Sequence, residues 1–232
     1  MCKKDEFAQL KKNTVSSENQ LKVGEWVLVD NAEGKGKRVM FVGNSITLHG
    51  PNESLGWFNR CGMAASSLEN DYVHIVMDKV LDKDGDASFC ICQAAGWERT
   101  YKDGKEAMEK YEAARDFDAD VIIMRIIENC KTAEYDAEAF FKEYAEFINY
   151  LNKSGKAKII LTTGFWKHPG DKEIIATGEK YGYPTVYLGD LGEDDAMMAK
   201  ELYEHKGVGM HPGDKGMENI ALRIWEVLSK EF

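Results

Sequence analysis

The sequence predicts a three-layer α/β/α sandwich around a doubly wound parallel sheet. Short apolar, β-branched runs alternate along the chain with longer amphipathic segments, which is the pattern of strands joined by crossover helices. The length of 232 residues suits one such domain and is short for two. We therefore expect a lead-in over residues 1–36, containing a short helix (3–12) and an edge strand (24–30), and one α/β domain over 37–232.

Five apolar runs have the composition of buried parallel strands. They are RVMFVG (38–43), ASFCICQAA (87–95), ADVIIMRII (119–127), KAKIILTTGF (156–165) and PTVYLGD (184–190). The segments between and after them are predicted as helices over 55–69, 103–117, 137–154 (closed by Gly155 as the C-cap), 172–182 and 217–232. The run 71–80 suits either a strand or a helix.

Composition excludes several classes of function. Acidic residues outnumber basic ones by 40 to 30, and the net charge of −10 argues against a nucleic-acid surface and favours a neutral substrate. No apolar run is long enough to span a bilayer, and the N-terminus lacks a signal-peptide core. The five scattered cysteines form neither a disulfide framework nor a zinc pattern. We expect a cytoplasmic protein with reduced thiols, although Cys2 would also suit the start of a lipoprotein whose signal has been removed.

Chemically useful residues follow the predicted strands. In a doubly wound sheet, ligands bind beyond the carboxyl ends of the strands. Ser45 follows the first core strand, Gly96 the second and Asn129 the third, while His211 precedes the last helix. Each has an ordinary structural explanation, as a helix cap, a turn, an Asx turn or a surface histidine. Their occurrence together, in this order, favours a nucleophilic site.

That order resembles the SGNH hydrolases, also called GDSL-like esterases. Their first motif is matched by Gly43-Asn44-Ser45-Ile46, and their last by His211-Pro212. Single residues of the second and third motifs are matched by Gly96 and Asn129, so the similarity runs from about residue 37 to the end. The resemblance implies a flavodoxin-like SGNH fold, with Ser45 as nucleophile and His211 as general base.

One departure from the family concerns the third member of the catalytic triad. The family places an Asp three residues before the histidine, where this chain has Val208. A backbone carbonyl near Val208 would leave a Ser–His dyad. Alternatively, a carboxylate from Glu204, Glu128 or Asp214 would orient His211.

The resemblance implies a serine esterase acting on a small acyl ester, with acetyl on a carbohydrate as the first choice. Backbone N–H groups of Ser45 and Gly96 and the Asn129 amide would form the oxyanion hole. Substrate-binding candidates near the strand ends are Asn44, Trp97, Arg99 and Trp166. No metal or organic cofactor is expected.

Two rival functions remain. The first is a non-catalytic ligand- or glycan-binding protein that retains the fold, which the distance between Ser45 Oγ and His211 Nε2 would distinguish. The second is a phosphate-binding turn, which ranks last because no Lys or Arg occurs between Gly43 and Pro51. Arg125, inside an apolar strand, is expected to pair with Glu128 or Glu98 as a structural residue.

Overall fold

The computed structural model describes residues 21–24 and 26–232, with side chains from residue 26 onward. Within this part of the chain, seven strands form one sheet in the order β1-β2-β4-β3-β5-β6-β7. They are Leu21–Gly24 (β1), Val27–Asp30 (β2), Lys37–Gly43 (β3), Ala87–Gln93 (β4), Val121–Arg125 (β5), Lys158–Thr162 (β6) and Thr185–Val186 (β7). Strands β3 to β7 are parallel, and their spatial order is the doubly wound, flavodoxin-like one.

The predicted sandwich is confirmed, but the sheet is mixed because β1 and β2 pair antiparallel at one side. The strand expected over 24–30 spans Val27–Asp30, and it is not outermost because β1 pairs along its free side. The helix expected over 3–12 lies outside the described residues, as does Cys2. Cys61, Cys90, Cys92 and Cys130 are buried and form no disulfide with one another.

Helices cover both faces of the sheet. They are Tyr72–Asp84 (α1), Ala95–Thr100 (α2), Lys105–Glu109 (α3), Glu112–Asp116 (α4), Ala137–Leu151 (α5), Asp171–Tyr181 (α6), Lys206–Gly209 (α7) and Asp214–Leu228 (α8). On β3, Val39 and Phe41 belong to the core that contains α1 and α8, whereas Met40 and Val42 belong to the core that contains α5. This alternation follows from the two-residue period of a strand. No helix in the described part of the chain is both long and apolar enough to cross a membrane.

The helix predicted over 55–69 is wrong. This segment is an irregular loop, with short 3-10 turns over Glu53–Leu55 and Leu68–Asn70. The Gly62 N–H donates to the Asp71 carboxylate at 2.9 Å instead of to a helical carbonyl. Asp71 also accepts the His74 N–H in the first turn of α1, so one side chain both holds the loop and caps the helix. The small residues of this segment, which suggested a closely packed helix, lie in a loop instead.

The helix predicted over 103–117 is broken into Lys105–Glu109 and Glu112–Asp116. The break brings the buried Tyr111 hydroxyl to 3.0 Å from the Trp97 N–H. A hydrogen bond in the core therefore replaces the continuous helix that the sequence period suggests.

The C-cap predicted at Gly155 is also wrong. Helix α5 ends at Leu151, and Asn152 is its cap residue. The Asn152 side chain then accepts the Ala157 N–H at 3.0 Å. Gly155, with φ of 70°, lies in the turn that follows.

Candidate active site

The ends of three neighbouring strands meet beside the first motif. In the sheet register, Gly43 lies opposite Gln93 on one side and Arg125 on the other. Beyond Gly43 the chain turns at once, and the Asn44 carbonyl accepts the Thr47 N–H at 2.9 Å. A Cβ at Gly43 would lie 1.7 Å from Thr47 Oγ1, so this tight turn requires glycine. The turn places residue 45 at the carboxyl edge of the sheet.

Ser45 and His211 are in direct contact across 166 residues of sequence. Ser45 Oγ lies 2.8 Å from His211 Nε2, and His211 Nδ1 lies 2.7 Å from the Gly207 carbonyl oxygen. A carbonyl only accepts, so Nδ1 carries the proton and Nε2 presents its lone pair to the serine hydroxyl. The Trp166 ring meets the imidazole edge to face, with the centroids 5.4 Å apart. The imidazole is thus held in the tautomer that a general base needs.

A short helix supplies the carbonyl. The His205 side chain caps α7 by accepting the Val208 N–H. A turn follows the helix, in which the His211 N–H donates to the Val208 carbonyl at 2.9 Å. Val208 itself is buried. The backbone carbonyl expected near Val208 is therefore that of Gly207, and it occupies the position where a triad would have its carboxylate.

None of the three carboxylates proposed as the orienting acid bonds to His211 in the described structure. Glu204 is exposed. Asp214 accepts from the Ser66 N–H and hydroxyl at 2.8 and 2.6 Å. Glu128 pairs with Arg125. These candidates are wrong because the local turn already satisfies the Nδ1 proton.

Burial lowers the pKa of His211 to about 4, and the hydrogen bond to the Gly207 carbonyl only partly offsets this. Without a carboxylate partner, little favours the imidazolium form. His211 is therefore neutral at physiological pH and available to accept a proton.

A buried ionic network lies beneath the nucleophile turn. Arg125, fully buried at the end of β5, donates to Glu128 at 2.7 and 3.2 Å, so this expected pair is confirmed. Arg125 also donates to the Asn44 side-chain oxygen, and the Asn44 amide donates to Glu128 at 2.5 Å. The Arg125 guanidinium lowers the pKa of Glu128 below its ordinary value. The side chain of Asn44, the residue before the nucleophile, is thus fixed by both members of this ion pair.

Glu98 completes this network, and its part in it is larger than the pairing with Arg125 that was expected for it. It is buried, and it accepts from the Asn44 amide at 3.0 Å, the Ile127 N–H at 2.6 Å and the Asn129 amide at 2.7 Å. Burial and the neighbouring Glu128 raise the pKa of Glu98 to about 7. The signal in the sequence was Arg125 itself, since a buried arginine requires acidic partners.

Two predicted substrate-binding residues are wrong. Asn44 is fully buried in the network. Trp97 is fully buried and stacks on Phe147, with the ring centroids 4.7 Å apart. Trp166 is half-buried against His211 and does not line the cleft beside Ser45. The sequence around an aromatic residue near a strand end does not distinguish a core residue from one that stacks on a substrate.

The predicted oxyanion donors are placed unequally. Within the described residues the Ser45 N–H donates no hydrogen bond, so it is available to a ligand. The Asn129 side-chain amide donates one of its two hydrogens to Glu98, and the second is available to a ligand. Gly96 is exposed in the first turn of α2 and does not line the cleft, whereas its neighbour Ala95 does. The Ala95 N–H donates to the Gln93 side chain at 3.1 Å.

A cleft of about 380 Å³ opens over the pair. Its wall is formed by Trp26, Ser45, His49, Leu55, Met63, Gln93, Ala95, Arg99, Asn129, His205, Gly207, Val208 and His211. Arg99 is the predicted substrate-binding residue that does line it. The described residues contain no group of three or more His, Cys, Asp or Glu side chains placed to hold a metal ion. The arrangement offers a nucleophile, a neutral base and backbone donors.

No protein-family model and no curated protein matches the chain. Solved structures do match. A lipase/acylhydrolase from Enterococcus faecalis is 14% identical, with a TM-score of 0.58 over 84% of this chain and 97% of that one. Family two carbohydrate esterases from Cellvibrio japonicus (16% identical, TM-score 0.55) and Clostridium thermocellum (13%, 0.56) also match over 84% of this chain. The chain spans only 61% and 63% of those two proteins. It therefore has the SGNH (GDSL-like) hydrolase fold that the motifs predict.

Replacing Arg125 with Met should lower the free energy of unfolding by about 3–5 kcal/mol, because it leaves buried carboxylates without their cation. The loss should be greater at pH 8 than at pH 5. Without Arg125 the pKa values of Glu98 and Glu128 both rise above the ordinary value, and stability then declines as these groups ionise. Urea unfolding followed by fluorescence measures both effects.

Arg115→Met is the matched control, since Arg115 is partly exposed and its nearest carboxylate oxygen, on Asp116, is 3.9 Å away. It should cost less than about 1 kcal/mol. An Arg125→Met variant as stable as this control would contradict the role given to the network.

For a neutral ester, kcat/KM should decrease at acidic pH with an apparent pKa of about 4. The reason is that burial lowers the pKa of His211, which must be deprotonated to act as the base. Protonated His211 also opposes folding, so stability falls as the pH drops from 6.5 toward 4, and circular dichroism must accompany the kinetics. The Glu98→Gln variant should lack any change in kcat/KM near pH 7 that arises from ionisation of Glu98, and this distinguishes that change from the titration of His211. An acid limb centred near 6.5 would show that His211 is not desolvated as described.

Proposed function

We propose that the chain is a serine esterase that removes a small acyl group, acetyl first, from a carbohydrate. The observation that carries the proposal is the contact of 2.8 Å between Ser45 Oγ and His211 Nε2, with Nδ1 held by the Gly207 carbonyl. A nucleophile hydrogen-bonded to a base that a third group orients is the constellation of acyl-transfer enzymes. A lipase/acylhydrolase and two carbohydrate esterases share the fold.

The reaction proceeds by two acyl transfers. His211 Nε2 takes the proton from Ser45 as Oγ attacks the ester carbonyl, and the imidazolium then gives that proton to the departing alcohol. Water next attacks the acyl-enzyme, its proton passing to His211, and the carboxylic acid leaves as Ser45 recovers its hydrogen. No change of oxidation state is involved.

The oxyanion of each tetrahedral intermediate would be held by the free Ser45 N–H and the second Asn129 amide hydrogen. Each such donor contributes about 3 kcal/mol to the stability of the transition state. Gly96 remains a proposed third donor, and the Ala95 N–H would serve instead if the Gln93 side chain moved off it. The buried network supports this arrangement because Glu98 accepts from the side chains of both Asn44, which precedes Ser45, and Asn129.

The size of the cleft supports a small acyl group. The cleft has a volume of about 380 Å³, and its wall includes the exposed side chains of Trp26, Arg99 and His205, which suit a sugar better than a long alkyl chain. Trp26, which is 46% exposed, provides an aromatic face that was not among the predicted substrate-binding residues. The rival reading as a binding protein is not favoured, since its criterion was a serine and a histidine out of hydrogen-bond reach.

Ser45→Ala and His211→Ala should each reduce hydrolysis of p-nitrophenyl acetate and of glucose pentaacetate to near the uncatalysed rate, a loss of about ten-thousandfold or more in kcat/KM. Both variants remove members of one unit, so the double variant should be no worse than either single one. Thermal melts confirm that each variant is folded.

Glu204→Gln is the control, because Glu204 is exposed and does not bond to His211. Its kcat/KM should stay within about twofold of the wild type, whereas loss of a true orienting acid costs about ten-thousandfold. Wild-type activity no higher than that of Ser45→Ala on every ester tested would overturn the proposal.

A further inference from the structure

The cleft beside Ser45 differs in charge from the rest of the molecule. The chain carries 40 acidic and 30 basic residues, yet among the residues that the structure describes no Asp or Glu lines the cleft. Its ionisable lining consists of Arg99 and the histidines 49, 205 and 211. Because His211 is neutral at physiological pH, Arg99 is the permanent charge of this lining, and a positive charge in a cleft attracts anionic ligands. The local charge therefore points to a different substrate from the one that the net charge suggests.

Arg99 is the fixed cation of this cleft. It is exposed at the end of α2, and one Nη donates to the Asn129 side-chain oxygen at 2.7 Å. This contact anchors the guanidinium beside the oxyanion side of the site and leaves its other donors unused. Among the described residues no carboxylate lies within ion-pair distance of it. The adjacent Glu98 is buried and engaged with Asn44, Ile127 and Asn129.

Four of the chain's six arginines bind a carboxylate or a backbone carbonyl in the described structure, and Arg99 and Arg60 do not. Arg115, Arg125 and Arg223 each lie within ion-pair distance of a carboxylate, and Arg38 donates to the Phe117 carbonyl. A guanidinium that lines the same cleft as the nucleophile, and that has no carboxylate partner among the described residues, is a ready site for a ligand anion. Arginine presents parallel donors that match both oxygens of a carboxylate.

We propose that Arg99 binds a carboxylate of the substrate, so that this cleft acts on esters bearing an anionic group close to the ester bond. The proposal rests on the proposed esterase function and names the substrate class of that site. It also replaces the neutral substrate favoured by the net charge. Surface charges farther than about 8 Å are screened at physiological salt, so the group in contact decides recognition.

Arg60 is the competing location for an anion. It lines the adjoining cavity of about 410 Å³ with Trp26 and Gln93, and no carboxylate pairs with it in the described structure. This cavity shares His49 with the catalytic cleft but does not include Ser45. Arg60 would thus hold an anion farther from the reacting bond, and its substitution distinguishes the two sites.

The test compares an anionic ester with its neutral methyl ester. With 4-acetoxybenzoate and methyl 4-acetoxybenzoate the carboxylate is on the alcohol part, and with p-nitrophenyl hydrogen succinate and p-nitrophenyl methyl succinate it is on the acid part. Selectivity is the ratio of kcat/KM within each pair. Arg99→Gln should lower the selectivity of at least one pair by about tenfold or more, and Arg99→Lys should restore part of it. The affected pair identifies which part carries the carboxylate.

Arg115→Gln and Arg60→Gln are the controls, and both should keep the selectivity of the wild type. Added salt should raise KM for the anionic ester and leave that of its methyl ester constant. Unchanged selectivity of Arg99→Gln in both pairs, or its loss in Arg60→Gln instead, would overturn the proposal.

A binding measurement on an inactive variant tests the anion site independently of the proposed esterase function. In the Ser45→Ala background, isothermal titration with 4-acetoxybenzoate and its methyl ester should show tighter binding of the anion, and Arg99→Gln should abolish that preference. Hydrolysis that does not depend on Ser45 would refute the esterase proposal and leave this measurement intact. Equal binding of the two esters to Ser45→Ala would refute the anion site even in an active esterase.

Discussion

The charge of Arg125 has to be satisfied inside the molecule, and the site is arranged around that constraint. Its guanidinium is buried at the carboxyl end of β5, where water cannot solvate it. Glu128 supplies the countercharge, and Asn44 links that pair to the turn that carries Ser45. Because an unpaired buried charge costs several kcal/mol, any shift of this turn would be resisted by the whole network. The nucleophile is thus positioned by electrostatics beneath it.

The same network explains how two carboxylates share one cation. Arg125 lowers the pKa of Glu128, and the pKa of Glu98 is raised to about 7. Since the folded-state pKa of Glu98 lies above its ordinary value of 4.5, its contribution to stability is present below that pH and is lost as the pH rises to about 7. His211 receives no such charge support, because its Nδ1 partner is the carbonyl of Gly207. It is a weaker base than a triad histidine, but it is deprotonated over a wider pH range.

The five parallel strands could be predicted because each is a short apolar run. Ser45 and His211 could be predicted as contact partners because a doubly wound sheet brings together the loops that follow its strands. Segments fixed by distant contacts were predicted poorly. The loop over 55–69 depends on Asp71, and Trp97 is a core residue whose surroundings come from α5. The Gly62–Asp71 bond spans nine residues, and the Trp97–Phe147 contact joins two different elements. Neither has the three- or four-residue spacing that helical periodicity reports.

The central claim is that Ser45 is a nucleophile activated by His211. Reaction with a fluorophosphonate, followed by intact-mass and peptide mass spectrometry, tests it without any assumption about the substrate. We predict one phosphonyl group per chain, on Ser45, with labelling abolished in Ser45→Ala and slowed by about a hundredfold or more in His211→Ala. An unlabelled wild-type protein, or a label on another residue at the same rate in all three, would contradict the account.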